Sequence, residues 1–71
     1  MRQFLYWYRE DKNRKLEVDI QWAVNKFRLK YKIEPMNLLI RPDELQDYQQ
    51  LNLTLNLVEN KAIAKRYFGL Q

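Results

Sequence analysis

The sequence predicts a small α+β domain spanning residues 1–71. It should be a two-layer sandwich in which a mixed sheet of three to four strands carries two helices on one face, with elements in the order β-α-β-α-β-β. Three stretches carry the prediction. FLYWY, near the start, alternates its large side chains with strand periodicity. The segment from Leu16 to Lys32 repeats apolar residues with helix periodicity, and QLNLTLNLVE alternates leucine with polar residues.

Residues 2–9 are rich in strand-favouring types, with Phe4, Tyr6 and Tyr8 on one face and Leu5 and Trp7 on the other. Both sets are apolar enough to need cover. The polar run from Glu10 to Lys15 ends this strand, and Asp11 or Asn13 can cap the helix that follows. In that helix Leu16, Ile20, Ala23, Val24, Phe27 and Tyr31 fall within about 100° of arc, the stripe of a helix lying on a core. Ile33-Glu34-Pro35 ends it, because the proline ring disfavours helical backbone at the residue before it.

Met36 to Arg41 reads as a short strand closed by Pro42. Pro-Asp-Glu then opens a brief helix to about Gln50, with acidic side chains near its positive end and Leu45, Tyr48 and Leu51 on one side. Leu51, Leu53, Leu55 and Leu57 alternate with Asn52, Thr54 and Asn56, the pattern of a strand with one buried and one wet face. At Glu59-Asn60-Lys61 a left-handed Asn60 would return the chain as a last strand, Ala62 to Gly69, in an antiparallel hairpin. The long connection through the first helix suits a parallel crossover.

Composition narrows the function classes. The chain has no cysteine and no histidine, so disulfides, cysteine-type zinc sites and the commonest acid–base and nucleophilic groups are not available. With one glycine it cannot build a glycine-rich phosphate loop. A non-enzymatic protein without cofactor, metal or small-molecule ligand is expected. Asp43 and Asp47 lie one turn apart, but acidic residues at a helix start are explained by the helix dipole. No stretch approaches the roughly 18 apolar residues of a membrane span, and the first residues lack the pattern of a signal peptide. A cytoplasmic location is the expectation. A chain of this size buries only roughly 60% of its unfolded surface, so self-association is a natural supplement to its core.

Net charge is +4, unevenly spread: residues 1–33 carry nine Lys or Arg against four Asp or Glu, and the remainder sums to −1. Two candidate surfaces follow. On the long helix Val18, Trp22 and Leu29 lie near 200–240° of the wheel, almost opposite the core stripe. A tryptophan in an apolar strip rimmed by lysines has the composition of an interface, although intramolecular packing by the short helix is an equally direct reading. Protein contact, through self-association or within a larger assembly, is the leading expectation.

The second candidate is nucleic acid, contacted weakly by Arg9, Arg14, Lys26 and Lys30, with Tyr6 and Tyr8 as stacking platforms. Against it, the bases on the helix split between its two shoulders and do not converge on one face.

Overall fold

The computed structural model describes residues 3–71. Its elements are β1 (Leu5–Tyr8), α1 (Leu16–Tyr31), β2 (Asn37–Ile40), a single 3-10 turn (Pro42–Glu44) running into α2 (Leu45–Gln49), β3 (Asn56–Glu59) and β4 (Tyr67–Leu70). The four strands form one mixed sheet in the order β1-β4-β2-β3. The α+β class, the element order and the mixed sheet all follow the sequence pattern. No helix of the described residues is long and apolar enough to cross a membrane.

The strand pairing departs from expectation in one respect. β3 and β4 do not form a hairpin: β3 pairs in parallel with β2, while β4 crosses to the centre and pairs antiparallel with both β1 and β2. The reason lies in the side chains. In β4 and β2 the last three residues of the strand are buried in each case, so these strands need neighbours on both sides. In β3 the strand leaves Asn56, Val58 and Glu59 exposed and accepts an edge. Because β1 and β2 both run against β4, they run the same way, as the crossover through α1 anticipates.

Leu51, Leu53, Leu55 and Leu57 all pack against the core, and the residues between them are exposed. The alternation is therefore real in burial. Only Asn56 onward joins the ladder, because its partner β2 begins at Asn37, opposite Asn56. Likewise the last strand starts at Tyr67, not Ala62. Asn60 turns the chain with its side chain, whose Oδ1 accepts from the Ala62 N–H at 2.8 Å, and it is not left-handed.

The left-handed residues are Arg66 (φ 67°) and Lys32 (φ 63°). Lys32 donates its N–H to the Arg28 carbonyl at 2.8 Å and stops α1 before Pro35 is reached. At the other end Lys15 precedes α1 without a side-chain cap, and Asp11 instead accepts from the Asn13 N–H.

One core gathers Ile20, Ala23 and Phe27 of α1, Leu38 and Ile40 of β2, Tyr48 of α2, and Phe68 and Leu70 of β4. Leu5, Trp7, Leu16, Val24, Tyr31 and Leu45 pack around it. The register places Leu5, Trp7, Leu38, Ile40, Leu57, Phe68 and Leu70 on the helix-facing side of the sheet. Phe4, Tyr6, Tyr8, Leu39, Val58, Tyr67 and Gly69 are left on the opposite side. There Phe4 lies across Gly69: a Cβ on Gly69 would stand 2.8 Å from the Phe4 ring. The glycine is what lets the aromatic ring approach the sheet.

Candidate functional site

β1 is an edge strand, and its hydrogen-bonding phase can be read residue by residue. In an antiparallel pair, alternate residues turn both backbone groups toward the partner and both away. Arg9 donates its N–H to the Arg66 carbonyl at 2.7 Å, so Leu5, Trp7 and Arg9 face β4 while Phe4, Tyr6 and Tyr8 face outward. Phe4 agrees with that phase. Its N–H donates to the Tyr31 hydroxyl at 3.2 Å, and the same hydroxyl donates to its carbonyl at 2.7 Å. At the far end Arg66 donates from Nη2 to the carbonyls of Arg9 and Glu10. Tyr31 thus closes the Phe4 end, Arg66 takes the Glu10 carbonyl beyond Tyr8, and the backbone groups of Tyr6 and Tyr8 between them have no partner among the described residues.

α1 runs beside this edge because of an ion cluster. Asp19 is fully buried, and its carboxylate accepts from Arg9 Nε at 2.9 Å and Arg14 Nε at 2.6 Å. Burial alone would push the Asp19 carboxyl up. The hydrogen bonds and charges of Arg9 and Arg14 outweigh burial and hold it below the ordinary carboxylate range. The cluster fastens the end of β1, the following loop and the start of α1 to one another. It also turns the shoulder of α1 that carries Trp22 and Lys26 toward β1.

Between the two elements lies a groove of about 350 Å³ lined by Tyr6, Trp7, Tyr8, Glu10, Arg14, Trp22 and Lys26. Trp22 is 49% exposed, and the Arg14 guanidinium sits 4.6 Å from the centre of its ring. Tyr6 is 58% exposed. The indole N–H of Trp7 is buried without an acceptor among the described residues. Both tryptophans of the chain therefore line one groove on the open edge.

The structure brings Trp22, Arg14 and Lys26 together from the two candidate sets and separates the others. Val18 and Leu29 do not line the groove, although Leu29 is 72% exposed. Arg9 lies at one end of the groove, bound to Asp19, and Lys30 stands further along α1 over the Tyr31 ring at 5.2 Å. Trp22 is not packed beneath α2.

Sequence reasoning did not find the Asp19 cluster or the Tyr31 clasp. Asp19 falls just outside the apolar stripe and reads as a solvated partner of nearby bases. Asp43 and Glu44, the acidic start of the second helical segment, sit against Arg41, whose Nε lies 3.0 Å from Asp43 Oδ1 and 3.7 Å from Glu44 Oε2. No group of three potential metal ligands occurs among the described residues.

No family model matches the chain, and neither the curated proteins nor the solved structures include a significant match.

Proposed function

We propose that this protein is a non-enzymatic interaction module of the cytoplasm that engages another protein through the β1–α1 groove. The observation that carries the reading is the exposure of Trp22 beside Tyr6 and Tyr8 at a strand edge whose central backbone groups are open. Large aromatic side chains around a desolvatable depression, with charged residues at the rim, are the anatomy of interface hot spots. An exposed strand edge left without charge, proline or bulge is otherwise an aggregation hazard.

Nucleic-acid binding has less support. Arg9 and Arg14 spend their guanidinium Nε groups on Asp19, which leaves Lys26 and Lys30 as the members of that basic set without an ion-pair partner among the described residues.

The test combines light scattering over a concentration series with circular dichroism for the wild type, Trp22→Ala and Leu29→Glu. Both variants should keep the wild-type fold, since neither side chain belongs to the core; Trp22→Ala should weaken partner binding, whereas Leu29→Glu, outside the groove, should leave it unchanged. Loss of the fold in Trp22→Ala would make Trp22 a core residue and end the proposal. Tight binding of DNA or RNA that weakens steeply with salt would replace it with the nucleic-acid reading.

A further inference from the structure

We infer that the partner is an acidic, extended segment that adds to the sheet as a fifth strand beside β1. The inference rests on the proposed function and names what the groove takes. The free edge offers two residues, Tyr6 and Tyr8, each with an outward N–H and C=O. These four groups match the ladder of one short added strand, while Tyr31 closes the Phe4 position on one side and Arg66 takes the Glu10 carbonyl on the other. Side chains of an added strand would alternate. One set would lie over the open aromatic face formed by Tyr6, Tyr8 and Tyr67, and the other would enter the groove against Trp7 and Trp22.

Charge selects the occupant. Lys26 lines the groove and Lys30 follows one turn later on α1; neither has an ion-pair partner among the described residues, and the one acidic lining residue, Glu10, stands just beyond the Tyr8 end. A segment with carboxylates on its groove side, near Lys26 and Lys30, and apolar side chains over the Tyr6, Tyr8 and Tyr67 face is therefore complementary. A second copy of this chain is not. Antiparallel pairing of two β1 strands about Trp7 would bring both α1 helices to one seam and add a second pair of groove cations, Arg14 and Lys26, to the first, with Glu10 as the one acidic lining residue each copy supplies. The other free edge, β3, turns Leu57 and Glu59 outward and carries a negative charge where β1 has a tyrosine.

The experiment is an amide-resolved NMR titration of the full chain with two capped heptapeptides, one alternating glutamate with valine and the other alternating lysine with valine. The glutamate peptide should shift the Tyr6 and Tyr8 amides saturably and slow their deuterium exchange at least about tenfold, as new hydrogen bonds do. The Leu57 and Glu59 amides should stay unchanged. Lys26→Glu should weaken the binding at least about tenfold, a loss of about 1.4 kcal/mol.

Equal binding of the lysine peptide, or no response to the glutamate peptide at Tyr6 and Tyr8, overturns the inference. If the Trp22 indole and Lys26 respond to the glutamate peptide while those two amides do not, strand addition is wrong and the interaction groove survives. Protection of the Tyr6 and Tyr8 amides in the protein alone, with a doubled mass, makes a second copy the occupant and also overturns it.

Discussion

Replacing Asp19 with asparagine removes the charge that fastens β1 to α1 and keeps the side-chain shape. The carboxylate is fully buried and accepts from two guanidinium groups, whose side chains are 25% and 23% exposed. Breaking a buried ion pair by removing one partner costs about 3–5 kcal/mol. Here the arginines left behind can regain water, so the lower end, about 3 kcal/mol, is expected. A domain of this length has about 4–11 kcal/mol in total, and each kcal/mol shifts its melting temperature by about 4–8 °C.

Asp19→Asn should therefore melt at least about 12 °C below the wild type at neutral pH, as measured by circular dichroism. The wild type adds a second signature. Because the folded-state pKa of Asp19 lies below its unfolded value of about 3.9, its contribution is complete above that value and is lost as pH falls through the lower folded value. The gap between wild type and variant should accordingly close in strong acid. A loss under about 1 kcal/mol, the size expected of a surface pair, or a gap that does not change below pH 4, would show that the cluster is solvated and does not organise the site.

Two further substitutions probe the edge and the open face. Tyr31→Phe should cost about 1 kcal/mol and accelerate deuterium exchange at the Phe4 amide, because one hydroxyl engages both backbone groups of that residue. An unchanged Phe4 exchange rate would mean the clasp does not hold in solution. Gly69→Ala should cost about 1–3 kcal/mol by forcing the Phe4 ring, 2.8 Å from the new Cβ, off the sheet. A neutral result in urea denaturation would show that the ring swings aside freely.

Much of the fold was legible because it rests on local periodicity. The α1 stripe puts Ile20, Ala23 and Phe27 in the core, and FLYWY divides its faces as its alternation requires. Strand order was less accessible. The clean alternation of the leucine run suggested a hairpin with the chain that follows, yet the stronger physical demand came from NLLI and YFGL, whose buried runs claim the two central places.

The site was half legible. Trp22 announced itself as an apolar residue on the wrong side of a helix, and Lys26 as its neighbour. That Tyr6 and Tyr8 would present open backbone groups depends on β1 taking an edge, which no local pattern encodes. The pairing of Arg9 and Arg14 with Asp19 depends on a contact between a loop and a helix. Charge counting could not separate those two arginines from Lys26 and Lys30, which have no ion-pair partner among the described residues.

The most direct measurement of whether the β1–α1 groove receives a protein segment is tryptophan fluorescence during a titration with the alternating glutamate–valine heptapeptide. Trp7 and Trp22 are the only tryptophans and both line the groove. A saturable change in emission, lost in Lys26→Glu, is the expected result. Emission that ignores this peptide but responds to single-stranded DNA at low salt would contradict the account.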